Sequence, residues 1–444
     1  MTKDLTGGSP LKVILFFTLP LVLGNLFQQF YALADTIIVG RFCGVSALAS
    51  VGSTGSINYL ILGFVIGICN GFAIPIAQLF GARDYSDLRR HVANAAWLCI
   101  AFSVVLTITT VTLTRPLLVL MQTPEDILDG AVIYIGWIFA SIPFIFLYNM
   151  VASIMRALGD SKTPLYFLIL TSALNIGLDL LFIVPFKMGI LGAALATDIS
   201  QAISGVVSFG FLCRKFEVLH MQKGELAFSK RACTRLMGIG VPMGLQCSIT
   251  AIGSVVLQSS INALGSTYIA AQVAARRFAE LFFIPGSALG IAVATYSSQN
   301  LGAGRRSRIM KGVTTALGIY FVWWVFVMLF VFFLSDPAVR AITGTNDEVI
   351  ISNAVLYLKI SAPVIPPMAV LVIVRNMLQG IQHTIEPLLA SGLELIGKVI
   401  FGVWIVPAVG YTAVCFCEPV TWVICFVFIL GALYRCRGEL KGKE

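Results

Sequence analysis

The sequence predicts an all-α membrane protein of twelve transmembrane helices arranged as two pseudo-symmetric six-helix bundles, and three observations lead there. Of 444 residues, 58% are hydrophobic and only 11% charged, whereas charged residues make up about a quarter of a soluble domain. Apolar runs of roughly 18 to 30 residues recur along the chain, each long enough to cross a hydrocarbon core of about 30 Å as a helix. Segments of the first half also return in the second at a nearly constant spacing. The runs are too long for barrel strands and lack their two-residue alternation.

The twelve runs fall near residues 12–40, 48–80, 91–114, 131–155, 163–186, 189–213, 236–263, 268–300, 311–334, 350–376, 387–407 and 410–434. The first begins at Leu11 and continues past the length of a signal-peptide core, so it is expected to stay as a span. Basic residues alternate between the two sets of loops. Lys3, Arg83, Arg89, Arg90, Lys162, Arg214, Lys230, Arg305, Arg375, Arg435, Lys441 and Lys443 fall on one side, and Arg41, Arg115, Lys187, Arg340 and Lys359 on the other. The richer side marks the cytoplasm. Both termini are therefore expected there, in the cell's inner membrane, and the net charge of +9 reflects topology and anionic headgroups, not nucleic acid.

The longest polar connection, Cys213 to Leu236, divides the chain into an N-terminal lobe (1–213), a cytoplasmic linker (214–235) and a C-terminal lobe (236–444). "FTLPLVLG" around Pro20 matches "GIGVPMGL" around Pro242, and Gln78, Gly81 and Ala82 find Gln299, Gly302 and Ala303 at one constant offset of 221 residues. An even number of spans per half gives both halves one orientation, as in transporters that rock between inward-open and outward-open states. The ten cysteines are scattered, mostly within spans, so no disulfide framework is expected. Cys415 and Cys417 lack metal-ligand spacing, and His91, His220 and His383 lie in or beside loops, where solvated roles are expected.

Acids within spans set the functional expectation, because a charge at the bilayer centre costs about 2.5 to 3.5 kcal/mol. In "NIGLDLLFIV", Asn175 and Asp179 share one helix face. Asp35 lies six residues before external Arg41, Asp179 eight before external Lys187, and Thr197 ten after it. At about 1.5 Å per residue these three sit at similar depth, with Asn175 one turn deeper. Gln28, Tyr31 and Asp35 form a polar stripe on the first span, below which Pro20 removes a backbone hydrogen bond and permits a bend.

"ALADTIIVG" (32–40), "RALGDSKTP" (156–164), "NIGLD" (175–179) and the doubled six-helix plan together resemble the multidrug and toxic compound extrusion family, in its bacterial DinF-like and MepA-like branch. The resemblance spans essentially the whole chain. It implies a proton- or sodium-coupled antiporter that exports amphipathic, mostly cationic organic compounds, with no cofactor beyond the coupling ion and no enzymatic activity. It further implies a cation site at Asp35, Asn175, Asp179 and Thr197, metal-binding only if sodium is the coupling ion, and drug contacts at Gln28, Tyr31, Tyr134 and Asn149. Met150, near the same spans, offers a polarizable contact to flat rings. Glu280 in "ARRFAEL" resembles an acid tied to cationic drugs in the MepA-like branch; its alternative is an ion pair with Arg276. Glu394 and Lys398, four apart, read as a mutually neutralising pair. The seventh span, in which the NorM-like branch carries an acid, has none here. A monomer is expected, with small organic cations and the bilayer as partners. The rival readings are a lipid-linked oligosaccharide or lipid flippase, for which Arg276 and Arg277 speak, and a polytopic membrane enzyme, for which no H-E-x-x-H or G-x-S-x-G appears.

Overall fold

The computed structural model describes residues 4–344 and 347–440; Lys3, Lys441 and Lys443 of the charge pattern lie outside the described residues. All regular structure among the described residues is helical. In chain order the helices are α1 Pro10–Phe42, α2 Val45–Ser53, α3 Gly55–Ala82, α4 Tyr85–Leu120, α5 Glu125–Ala140, α6 Ile142–Ala157, α7 Lys162–Ile183, α8 Gly189–Lys215, α9 Lys230–Asn262, α10 Ser266–Gly302, α11 Arg306–Thr343, α12 Glu348–Ser361, α13 Ile365–Gly380, α14 Ile385–Ile400, α15 Val406–Val409 and α16 Tyr411–Leu440. Among the described residues, eleven spans are long and apolar enough to cross a membrane, and α5 with α6, bent by 48° at Ser141, makes a twelfth if counted as one span. Helices dominate because oil offers no partner to a backbone N–H or C=O, so each span must pair its own.

The internal repeat is written into the backbone. Residues with positive φ recur as Gly44 and Gly265, Arg83 and Gly304, Gln122 and Gly344, Gly159 and Gln382, and Lys187 and Gly410. Each partner follows 221 to 223 residues later, so both halves break their helices at matching places with positive-φ residues. The break at Ser141 likewise returns as the 3-10 turn Ala362–Val364.

The chain divides into two compact units, the first built chiefly from Leu19–Gly244 and the second from Thr6–Thr18 and Leu245 onward. This boundary lies beyond the polar linker, inside α9, for a local reason. A Cβ on Gly71 of α3 would stand 2.5 Å from the Gly240 Cα, and one on Gly67 2.6 Å from the Met243 carbonyl oxygen. Glycines let the two backbones touch, as at membrane helix crossings generally. Gly71→Ala is therefore expected to cost about 1–3 kcal/mol by overpacking. Thermal unfolding in detergent should show it, while Gly136→Ala, where a Cβ meets nothing within 4 Å, should leave the midpoint unchanged. Residues 6–8 join the second unit because Arg305 donates to the Thr6 carbonyl (2.6 Å) and Arg308 to those of Gly7 and Gly8 (3.3 and 2.9 Å).

In the first unit α6 packs on α3, α4 and α8, and α7 lies along α8; Val65, Ile68, Phe72, Ile135, Phe139, Phe146 and Met155 form the core. In the second, α10 packs on α11, α12 and α13, while α16 packs on α13 and α14. Phe30, Val105, Ile108, Tyr166, Phe326 and Phe333 are large apolar side chains exposed on the spans.

The linker is docked, not loose. Glu225, only 3% exposed, accepts from Arg89 Nε (2.6 Å) and Nη2 (2.8 Å), Ser86 Oγ (3.1 Å) and the Gln222 N–H (2.8 Å). Asn94 bonds the Ala227 carbonyl and the Ser229 N–H. The hydrogen-bonded Arg89 guanidinium holds the Glu225 carboxyl down at about 2, against an ordinary 4.5. A depressed carboxyl stabilises the docked linker above pH 4.5 and loses that contribution as the pH falls toward 2. Glu225→Gln should accordingly speed proteolytic cleavage within 216–229 at neutral pH, and equal cleavage of both proteins would contradict the docking role. His91, expected to be solvated, is instead 3% exposed within α4, its Nδ1 bonded to the Asp87 carbonyl.

Candidate cation site

Three helices of the first unit bring the sequence-predicted residues together. Tyr31 and Asp35 share a face of α1, Asn175 and Asp179 share one of α7, and Thr197 and Asp198 come from α8. The α7–α8 seam is close because α8 presents small residues to it: Ala193, Ala196, Ser200 and Ser204 are buried. Asn175 Nδ2 donates to Thr197 Oγ1 at 3.1 Å, and the Tyr31 side chain lies near Thr197. The Asp35 and Asp179 carboxyl groups lie within interaction range of each other. As carboxylates they are acceptors only, so no hydrogen bond can join them until one carries a proton.

Asn175 and Asp179 are fully buried. Both Asp179 oxygens, Asp35 Oδ1 and Asn175 Oδ1 are shut away from water and receive no donor. An unpaired buried carboxylate is among the costliest groups in a fold. The site thus gathers four buried oxygens that a small cation or a proton would satisfy, and carboxylate, amide and hydroxyl oxygens are the donor type that suits hard ions.

Asp198 adds a third acid. It lies beside Ser141, at the α5–α6 break, with Oδ1 buried and unpartnered. The sequence left its direction open, since adjacent helical residues point about 100° apart; α8 lies against both α5 and α7, so its two polar residues reach the site from different sides. Asp35, Asp179 and Asp198 all lie within electrostatic range of Tyr31. Tyr134, 8% exposed, packs with Ile38, Val39 and Ile183 as an apolar wall and feels the same three charges. A cavity of about 610 Å³ next to the cluster is lined by Cys43, Ser46, Ile183 and Lys187, and Cys43 is within electrostatic range of both Asp179 and Asp35.

The remaining sequence-predicted residues lie outside the cluster. Gln28 is exposed on α1, and Pro20 sits inside that uninterrupted helix. Asn149 is half-buried, its amide bonded to the Ile145 carbonyl of its own helix at 2.9 Å. Met150 is 5% exposed and packed in the apolar core of the first unit, where a flexible thioether fills space between helices.

The second unit holds a different arrangement, a balanced network. Lys398 Nζ lies 2.9 Å from Glu394 Oε1, with both residues buried. Glu418 of α16 accepts from the Tyr357 hydroxyl and is coupled to Arg276 and Lys398. Arg276 lies within electrostatic range of Glu418, and Glu280 sits half-buried one turn further along α10. This network holds two bases and two acids, whereas the α1, α7 and α8 cluster of the first unit gathers the acids Asp35, Asp179 and Asp198.

The sequence model of the MatE family matches the chain twice, over residues 20–181 and 242–404, the same two-fold repeat that the helix breaks display. The probable multidrug resistance protein YpnP of Bacillus subtilis is 30% identical over 69% of this chain and 68% of its own. YoeA of the same organism, also a probable multidrug resistance protein, is 28% identical over 81% and 79%. A crystal structure of a MATE in the bent conformation superposes with a TM-score of 0.90 at 22% identity, covering 98% of this chain and 97% of that one. A double match to the family, a relative at 30% identity and the shared twelve-helix fold establish that this chain belongs to the bacterial MatE family of multi-pass membrane multidrug transporters and is not an enzyme.

Proposed function

We propose that this transporter is an antiporter driven by protons or sodium ions, and that it exports amphipathic, mostly cationic organic compounds by alternating access. The observation that carries the reading is Asp179: fully buried, with both carboxylate oxygens lacking a donor, and facing Asp35. Two carboxylates in a dehydrated pocket cannot both stay ionised cheaply, so one proton or one cation between them relieves repulsion and desolvation together. A proton placed on either acid turns an acceptor into a donor and joins the pair. A sodium ion would instead take oxygens of Asp35, Asp179, Asn175 and Thr197.

Coupling follows from competition. A ligand shifts a two-state equilibrium only through its differential affinity for the states, and a coupling ion and an organic cation cannot both neutralise Asp35. Tyr31 and Tyr134 supply ring faces that attract a cation, Gln28 and Asn149 polar contacts, and the cavity beside Cys43 and Lys187 a route to the acids. Glu280 serves as a secondary attraction for positive charge in the second unit. In this reading the chain acts as a monomer in the inner membrane with both termini cytoplasmic; the excess of basic residues in one set of loops supports that orientation. The flippase reading is less supported, because acids outnumber bases at the buried site.

The test is drug efflux from proteoliposomes with pH and sodium gradients imposed separately. One gradient, or both, should drive efflux; efflux indifferent to both would overturn the proposal.

A further inference from the structure

The turn between α13 and α14 and the end of α16 bring two neighbouring groups, His383 and Glu386, against Cys436, which is distant in sequence. His383 Nδ1 lies 3.6 Å from Cys436 Sγ and 3.5 Å from Glu386 Oε1, and all three donor atoms fall within 4.8 Å of one another. Cys436 is 3% exposed, while the His383 and Glu386 side chains keep 27% and 31% of their surface.

The two separations from His383 Nδ1 match a coordination sphere. With Zn–N of about 2.0–2.1 Å, Zn–S of about 2.3 Å and Zn–O of about 2.0–2.2 Å at tetrahedral angles, N···S should be about 3.5 Å and N···O about 3.4 Å. The observed separations lie within about 0.1 Å of both. The backbone at the turn is fixed: Gln382 takes a left-handed φ of 71°, and the His383 N–H closes on the Leu378 carbonyl at 2.9 Å. Glu386 stands in the first turn of α14 and Cys436 near the end of α16, two helices that pack together.

The repeat supplies an internal contrast. The residues 223 positions earlier are Asp160, Thr163 and Cys213. Asp160 caps α7, accepting from the Lys162 and Thr163 N–H groups at 3.0 Å each and from Thr163 Oγ1 at 2.6 Å, while Cys213 is exposed. Where the first half has a helix cap, the second has an imidazole, a carboxylate and a buried thiol.

We propose that His383, Glu386 and Cys436 form a three-ligand site for a borderline-soft divalent cation of the zinc and cobalt class, with solvent in the fourth position. Thiolate and imidazole select such ions over sodium, magnesium or calcium, so this site is chemically distinct from the acid cluster of the first unit. The bound ion would tie the end of α16 to the start of α14.

The experiment uses full-length protein in detergent, stripped with a chelator and titrated with Co²⁺. One equivalent per chain should produce a thiolate-to-cobalt charge-transfer band that Zn²⁺ abolishes. Cys436→Ser should remove the band, Cys213→Ser should keep it, and His383→Ala should weaken binding by about tenfold or more. Glu386→Gln, which spares the thiol, provides a second reading should Cys436→Ser fail to fold, and is expected to weaken Co²⁺ binding likewise. No saturable band in the wild type, a band that survives Cys436→Ser, a band lost in Cys213→Ser, or unchanged affinity in Glu386→Gln would each overturn the site.

Discussion

Replacing Asp35 by Asn is expected to reduce gradient-driven drug efflux from reconstituted vesicles to the level of protein-free vesicles. In an exchange that carries one net charge inward, about 100 mV yields about 2.3 kcal/mol, which at about 1.36 kcal/mol per decade sustains roughly a fiftyfold substrate gradient. An amide of the same shape can neither take up a proton nor neutralise a cation, so that entire gradient should vanish. Asp179→Asn is expected to behave the same way, because its two orphaned oxygens face the same partner. Stability should move in the opposite direction. A neutral side chain escapes the burial penalty of an ionised one, so both variants should unfold at or above the wild-type midpoint. Loss of transport without loss of fold separates a coupling role from a structural one. Gradient-driven efflux at the wild-type rate in Asp35→Asn would sink the coupling mechanism.

Lys398→Met is expected to be the most destabilising single change in the second unit. Its ammonium lies 2.9 Å from Glu394 and 3.5 Å from Ser254 Oγ, and Lys398 and Glu394 are 4% and 8% exposed. Removing one partner of a buried pair strands the other charge and typically costs about 3–5 kcal/mol, whereas replacing both by apolar residues of similar volume is often neutral. The double variant Lys398→Met with Glu394→Leu should therefore recover most of the loss. Thermal unfolding of the wild type, the two single variants and the double variant in detergent completes a double-mutant cycle. Additive losses would show that the pair does not act as a unit. Glu418 and Arg276 extend the network, so recovery in the double variant should stop short of complete.

Much of this was legible before any coordinates. Hydrophobic runs locate the spans because a membrane helix must be apolar over a fixed length, and the 221-residue spacing of Gln78 and Gln299 returns as matched positive-φ breaks between helices. The pairs Asn175 with Asp179 and Glu394 with Lys398 were readable from four-residue spacing, which places two side chains on one face of any helix. The placement of Asp198 was not readable, nor was the nearness of Arg276 to Glu418. Helical period states which residues share a face but not which way that face turns, and the turning is decided by the small residues along α8 and at the α3–α9 crossing. The docking of the linker was not readable either: its polar composition marks a connection between the halves, while Arg89 and Asn94 capture it side chain by side chain.

By itself, then, the sequence determined the membrane class, the span count, the two-fold repeat and the presence of acids that oil cannot tolerate singly, all consequences of composition and short-range period. Only the tertiary structure decided that Asp179 faces Asp35, that Asp198 reaches the same site, and that His383, Glu386 and Cys436 meet. Such meetings join residues tens to more than a hundred positions apart, and their geometry is set by how closely helices pack, which no local pattern encodes.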